Sequence, residues 1–596
     1  MSRNSPLAET GAMPKCGEGG HHLRFIGAVV RAAALSVGLV PVVLVTPVVA
    51  GAASAVKSFT PSSSSITSAG RKVTLTAKVS LAKTCVFSLT PLIDGFPTTV
   101  QCSSSSLTKT IKVPANSVFY ALNLGVKGLG DRASTTTRIS QAAKALSGVA
   151  SVVGQEDSYC AVLTSGAVDC WGFNSFGQLG NGTTTNSDRP TAVKSVDGSS
   201  FLTGVSNVAS GSFGYGDSYC AVLTSGRVDC WGYNEDGQLG NGTTRQTDRP
   251  TVVKGVGGRG ILTGVARVSG ETYGFCAALT SGGVVCWGLN SDGELGNGTD
   301  ENSSVPTAVV GVGGTGTLSG VASLVSEATT MCAILTSHGT DCWGYGPNGQ
   351  LGNGTEEDSS FPTGVKGVGG TGTLNGVSSL TGNDNGTNIC ARLSSGRVDC
   401  WGDNSYGEIG NKTIGIFTDS SVPKAVVGVD GTGTLSGVAS VVGVPGLSNC
   451  AILTSGGVDC WGSYGDGVLG NRSTNPTSDV PTRVVGVGGR GTLSKVTRLA
   501  GSICARLASG RVDCWGPASS SGYSSEPQAV VGVGGNGTLS GVRSLASDQN
   551  GSICAVQVSG SVDCWGSNDF GELGNGTTTK SSVPEVVVAA GQSTRT

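Results

Sequence analysis

Cys160-Ala-Val-Leu-Thr-Ser-Gly-Ala-Val-Asp-Cys170-Trp171 is the stretch that decides the fold of this chain. Thr164-Ser165-Gly166 suits a three-residue hairpin loop, a type I turn followed by a left-handed residue, a conformation glycine takes without a Cβ penalty. Folding about Ser165 sets residue 160 opposite 170 and 162 opposite 168, so the two cysteines become cross-strand neighbours that a disulfide can span. The motif recurs as Cys220…Cys230-Trp231, Cys276…Cys286-Trp287, Cys332…Cys342-Trp343, Cys390…Cys400-Trp401, Cys450…Cys460-Trp461, Cys504…Cys514-Trp515 and Cys554…Cys564-Trp565. All 8 tryptophans of the chain lie in it, so these rings build architecture rather than mark one pocket. A fixed motif every 50–60 residues means a repeat protein. The fourth copy turns on Thr336-Ser337-His338, and histidine is among the non-glycine residues that tolerate the left-handed region.

Each crosslink closes a short loop and contributes roughly 3 kcal/mol at most in the chain-entropy model. Metal ligation is the rival reading of paired cysteines, but structural zinc sites favour cysteines two to four residues apart. Two further strand candidates flank each hairpin. Upstream lies Leu318-Ser-Gly-Val-Ala-Ser-Leu324 and its equivalents, downstream Pro306-Thr-Ala-Val-Val-Gly-Val312 and its equivalents. Four short strands per repeat between Gly-rich turns predict an all-β chain, a β-propeller of four-stranded blades. A right-handed β-helix is the alternative, but it usually has shorter coils.

Between Trp and Pro most repeats carry Asn-x-x-Gly-Gln/Glu-Leu-Gly-Asn-Gly-Thr, as in Asn174 to Thr183 and Asn234 to Thr243. Trp231-Gly-Tyr-Asn-Glu-Asp-Gly-Gln-Leu-Gly240 resembles the repeat signature of the regulator-of-chromosome-condensation propeller family, over about residues 145–590. The resemblance implies a toroid of blades around a central channel. That family is typically seven-bladed and this chain has eight hairpins, so the expectation is seven or eight blades. The seventh unit is the irregular one, because Trp515-Gly-Pro-Ala-Ser-Ser-Ser-Gly522 lacks the Gly-Gln-Leu-Gly-Asn element.

Residues 1–55 read as a secretory signal peptide. Lys15, Arg24 and Arg31 precede an apolar run from Ala32, and Ala53-Ser54-Ala55 fits a small-residue cleavage site. A transmembrane anchor is the competing reading, disfavoured by Pro41 and Pro47. Cleavage discards Cys16 and leaves eighteen cysteines in an oxidising setting, and no membrane span. The last two, Cys85 and Cys102, lie in residues 56–142. There Val73-Thr-Leu-Thr-Ala-Lys-Val79, Leu107 to Val113 and Phe119 to Leu124 alternate as half-buried strands do. We expect six or seven strands and a small disulfide-pinned β-sandwich, which resembles bacterial immunoglobulin-like modules. The predicted propeller occupies residues 143–590 and a short tail 591–596.

Composition excludes much chemistry. The mature chain keeps one histidine, His338, at a hairpin turn, which argues against Ser-His-Asp and Cys-His triads and against histidine-rich metal sites. Paired cysteines leave no thiolate nucleophile. Asp169, Asp229, Asp399, Asp459, Asp513 and Asp563 recur before Cys-Trp and read as structural acceptors, since an active site should show unique residues. Asn383-Asp-Asn-Gly-Thr-Asn388 lacks the spaced carboxylates of a calcium loop. Gly311-Val-Gly-Gly-Thr-Gly316 and its repeats have no following helix or Walker lysine and read as turns. Removing the leader takes four basic and two acidic residues, leaving 34 against 38, a net of −4, with no basic stripe for nucleic acid. We expect no catalytic residue, no metal and no cofactor.

Function is expected on the rim. The offset from Asn181 to Pro190 is nine residues and recurs in five repeats, whereas the loop ahead of the first cysteine varies widely. Rigid scaffold with variable loops is how binding faces are made. Tyr159, Phe213, Tyr215, Tyr219, Tyr273 and Phe275 crowd the loops of the first three repeats and are the candidate contact residues; the bland alternative is packing of the tyrosines beside the disulfides. The leading reading is a secreted, non-enzymatic module that binds an extracellular protein or glycan. An inhibitor of a secreted or cell-wall hydrolase is the second reading. Nucleotide exchange, implied only by the resemblance, and a channel-sited glycosidase or lyase follow it.

Overall fold

The computed structural model describes residues 144–590, apart from 212–216, 271–273, 328, 384–385, 416, 445–446, 463–464, 466, 501–502, 517–523 and 549, together with the backbone of strands between 55 and 141. The alternation of Gly-rich turns and short apolar runs folds as eight four-stranded antiparallel sheets, each in simple up-and-down order. The first blade is Val149–Gln155, Ser158–Leu163, Val168–Gly172 and Ser187–Ala192. The last is Val542–Ser547, Ser552–Gln557, Val562–Gly566 and Ser581–Val586. The seventh repeat, despite its missing motif, also completes four strands. The protein is an all-β, eight-bladed propeller, which settles the seven-or-eight alternative.

The hairpin register is the one the turn predicts. Cys160 pairs with Cys170 and Val162 with Val168, and all eight hairpin disulfides form at a Cα–Cα distance of 4.1 Å. Gly166 adopts φ 77° and His338, its counterpart in the fourth blade, φ 65°.

Cys and Trp are adjacent because adjacent strand residues face opposite sides of a sheet. Each core therefore lies between blades, with the disulfide of one blade against the tryptophan of the next. Cys160, Cys170, Leu179 and Val193 of the first blade pack with Tyr219, Ala221 and Trp231 of the second. Cys554, Cys564 and Leu573 of the eighth pack with Tyr159 and Trp171 of the first, which closes the ring. Seven of the eight indoles also donate to a backbone carbonyl of the preceding blade, among them Trp231 to Gln178 at 2.8 Å, Trp287 to Gln238 at 2.8 Å, and Trp171 across the closure to Glu572 at 2.7 Å. The counterpart donor Trp565 has no acceptor among the described residues.

Closure is completed by the chain ends of the ring. Leu146 N–H donates to Val587 at 2.8 Å and Ala145 bridges Val588, a pairing that replaces the Lys194–Phe201 bridge of the first inter-blade connection. Ahead of the ring, strands Ala55–Pro61, Arg71–Ser80 and Ser106–Val113 form one sheet. Ser65–Ile66, Arg132–Gln141, Phe119–Gly128, Ala82–Thr90 and Thr98–Gln101 form another. These are eight strands where six or seven were expected. The packing of the expected sandwich, the Cys85–Cys102 pair, the signal peptide and the tail 591–596 lie outside the described residues.

Candidate binding face

Strand order places two loops of every blade at the same end of its sheet: the one between the first and second strands, and the one between the third and fourth. Five of the third-to-fourth loops have the same length, as in 173–186 and 233–246. An asparagine organises four of them, and Gly346 stands at its place in the fourth blade. Asn174 donates to Thr183 O and Thr185 O, both at 2.9 Å, and accepts from Leu179 N–H at 2.9 Å. The loop is then clasped to the next blade. A Cβ on Gly177 (φ 82°) would stand 2.5 Å from Asp248 Cα, and one on Gly180 2.8 Å from the Trp231 indole nitrogen. Glycine is required here because two backbones touch.

The sequence-predicted contact patch is corrected in part. Tyr159, Tyr219 and Phe275 are fully buried and stack on Trp171, Trp231 and Trp287 at centroid distances of 5.7, 6.1 and 6.2 Å. The residue before the first cysteine shares the tryptophan face of its sheet and points into the seam. Both tyrosines end on hydroxyls of the preceding blade: Tyr159 on Ser552 at 2.8 Å and Tyr219 on Ser158 at 2.7 Å. Ser158 gives its proton to Asp217 at 2.8 Å and Ser552 gives its proton to Asp548, so each tyrosine is the donor in its pair. These Tyr–Ser–Asp chains are buried from solvent and brace seams. Phe213, Tyr215 and Tyr273 lie outside the described residues.

What the structure brings together instead is an arc of half-buried rings on the third-to-fourth loops of blades eight, one and two. Phe570 meets Phe173 at 4.9 Å, Phe173 meets Phe176 at 6.2 Å, and Phe176 meets Tyr233 at 5.3 Å, all edge to face. A cleft of about 630 Å³ opens beside Phe176 in the seam between blades one and two, and one of about 320 Å³ beside Phe570 in the seam between blades eight and one. Sequence reasoning missed the arc because its members sit inside the repeating motif. The available signal was the position two residues before the recurring Gln or Glu, where Phe176, Tyr406 and Phe570 stand against Asp236, Asp292 and Asn348.

Carboxyl groups are placed for structure. Asp229 is buried and held by Arg227 at 2.7 Å; Asp459 is met by Arg483 at 3.4 Å and Asp563 by Gln557 at 2.7 Å. Glu294, Glu408 and Glu572 are buried inside their loops. Burial raises their carboxyls from the usual range to about 7, about 8 and about 6. The first strands of the eight blades carry one carboxylate in their sequences, Glu327. Among the described residues no group of three or more His, Cys, Asp or Glu is placed to hold a metal, and no helix is long and apolar enough to cross a membrane.

The Regulator of chromosome condensation (RCC1) repeat matches residues 165–214, 225–275 and 281–323, and a second form of it matches 205–238 and 386–408. The E3 ubiquitin-protein ligase HERC2 of Mus musculus is 29% identical over 330 residues, which are 54% of this chain and 6% of that protein. The Ultraviolet-B receptor UVR8 of Arabidopsis thaliana is 27% identical over 264 residues, 44% of this chain and 55% of the receptor. The chain thus spans a small fraction of the ligase and about half of the receptor. Among solved structures, human WBSCR16 superposes with a TM-score of 0.46 at 19% identity, covering 71% of this chain and 94% of that one. Yeast RCC1 (Prp20), in its complex with Kap60, gives 0.43 at 16% identity, covering 74% and 85%. Stretches between residues 165 and 408 thus match repeats of the Regulator of chromosome condensation (RCC1) type, and they fall on the four-stranded blades described above.

Proposed function

We propose that the protein is a secreted, non-enzymatic binding module that recognises a protein or glycan at the cell exterior through one rim of its propeller. The observation that carries this reading is the contrast between near-identical crosslinked sheets and the loops that join their first and second strands. That loop is two residues in the first blade, Glu156 and Asp157, and six in the second, 212–217. A scaffold held constant under divergent loops fits recognition better than catalysis. Eight buried disulfides support an oxidising compartment. Phe213, Tyr215 and Tyr273 remain the contact residues proposed on the variable loops.

The test is affinity capture with the full oxidised chain against the envelope and secreted fraction of its own culture, read by mass spectrometry and glycan analysis. A ligand enriched by the wild type and lost when 212–217 is replaced by the two-residue turn of the first blade is the expected result. No enrichment over an unrelated disulfide-bonded protein would overturn the reading.

A further inference from the structure

We propose that the arc Phe570–Phe173–Phe176–Tyr233 and the two clefts along it bind an uncharged polysaccharide laid across blades eight, one and two. The inference rests on the rim being a binding face and names its ligand class.

The aromatic residues are not required by the loop they occupy. Asn290 makes the same bonds in the third blade around Asp292, where Phe176 stands in the first, and beside Leu289, where Phe173 stands. Half-buried rings that the loop fold does not need are a mark of a contact surface.

The two clefts, though of different volume, share three equivalent positions displaced by one blade. Phe176, Gln246 and Asp248 line the first; Phe570, Asn186 and Asp188 take the same places in the second. A surface that repeats its own cleft at successive seams suits a ligand that repeats its own unit. Within each cleft a ring is set beside an amide, whose NH2 group donates, and a carboxylate, which accepts. Sugar C–H faces and hydroxyl groups satisfy that combination.

Charge selects among polysaccharides. Asp188 is accompanied by Arg189 at 3.7 Å and Asp248 by Arg249 at 3.5 Å; Arg245 adds a positive charge to the first cleft and Asp569 a negative charge to the second, so along the arc the two signs offset one another. On the corresponding loops of blades three and four, Asp300, Glu301, Glu356 and Glu357 are exposed and repel a polyanion. A protein partner would seat on an interface core depleted of charge, which these clefts are not.

The experiment is native affinity electrophoresis of the full oxidised chain in gels containing laminarin, hydroxyethylcellulose, amylopectin or glycol chitin, with heparin as the anionic probe. Two variants copy residues from other blades and so keep the loop fold: Phe176→Asp and Tyr233→Leu. Their thermal midpoints serve as folding controls. Retardation by at least one neutral polysaccharide, weakened about tenfold by each substitution, is the expected result, about 1.4 kcal/mol per ring. Retardation unchanged in both variants, no retardation by any neutral probe, or a preference for heparin would each overturn the proposal. The broader reading fails separately. If the arc variants still capture a ligand from the culture fraction that the 212–217 replacement loses, the rim binds and the arc does not. If the wild type captures nothing there and is retarded by no polysaccharide, both readings fall.

Discussion

Glu408→Gln tests the buried carboxyls most directly. Glu408 is fully buried in the fifth blade, and one carboxylate oxygen accepts the Tyr406 N–H at 2.8 Å. The other has no partner among the described residues. Burial, with the negative charges of Asp403 and Asp419 adding to it, lifts the carboxyl from 4.5 to about 8. Blades one, two and four carry glutamine at this position, and Gln238 accepts the equivalent Asp236 N–H at 2.9 Å. The substitution therefore keeps the bond and removes the proton. Because the folded chain retains a proton that the unfolded chain gives up above pH 4.5, the wild type loses stability as pH rises to about 8. At 1.36 kcal/mol per unit the loss attributable to this group is roughly 5 kcal/mol in full, of which about 4 kcal/mol falls between pH 5 and pH 8.5. For a ring of this size that is on the order of 4–8 °C in thermal midpoint. Thermal unfolding followed by tryptophan fluorescence at pH 5 and pH 8.5, disulfides intact, should show the variant ahead by several degrees at the higher pH and level with the wild type at the lower. Parallel pH profiles for the two proteins would refute the assignment of a buried neutral carboxyl.

Trp231→Phe should cost about 1–3 kcal/mol by stranding the buried Gln178 carbonyl, measured by denaturant unfolding. Gly177→Ala should destabilise more than Gly313→Ala. Both glycines have positive φ, but only the first has a neighbouring backbone, Asp248 Cα at 2.5 Å from the added carbon, while the second has nothing within 4 Å; thermal midpoints compare them. Tyr219→Phe should lower stability by about 1 kcal/mol through loss of its bond to Ser158 and leave ligand capture unchanged, since the ring is buried in a seam. In the native protein the sixteen hairpin cysteines, disulfide-bonded and buried, should not react with a thiol reagent until a reductant and denaturant are supplied together, as titration with Ellman's reagent would record.

The fold was legible in the sequence because its determinants are local. The turn Thr164-Ser165-Gly166 fixes the Cys160–Cys170 register, and that register repeats. Blade number was not legible, because the seventh repeat hides a complete sheet behind a shortened loop and because closure depends on Ala145 meeting Val588, residues at opposite ends of the ring. The site was only half legible. Tyr159 and Tyr219 read as loop aromatics until alternation is applied to them as strictly as to the cysteines beside them, which turns them into the seam. Phe173 and Phe176 stand in a segment whose constancy suggested scaffold, and only packing against the neighbouring blade puts their rings in line with Phe570 and Tyr233. Glu408 looked interchangeable with glutamine, since a sequence does not display the burial that separates the two.

Ring closure by hydrogen bonds and packing, on a chain whose hairpins are crosslinked, dictates how the molecule responds to tension. A force applied between residues 144 and 590 acts first on the closing seam, where Leu146–Val587, Tyr159–Ser552, Trp171–Glu572 and the Arg543 guanidinium on Val149 O at 2.8 Å are the fasteners. Once that seam parts, blades peel in turn, yet each hairpin surrenders nothing between its cysteines, ten positions apart. About 35 Å of contour per blade stays locked. In a pulling experiment the oxidised ring should extend in eight shortened steps, and reduction should lengthen every one of them.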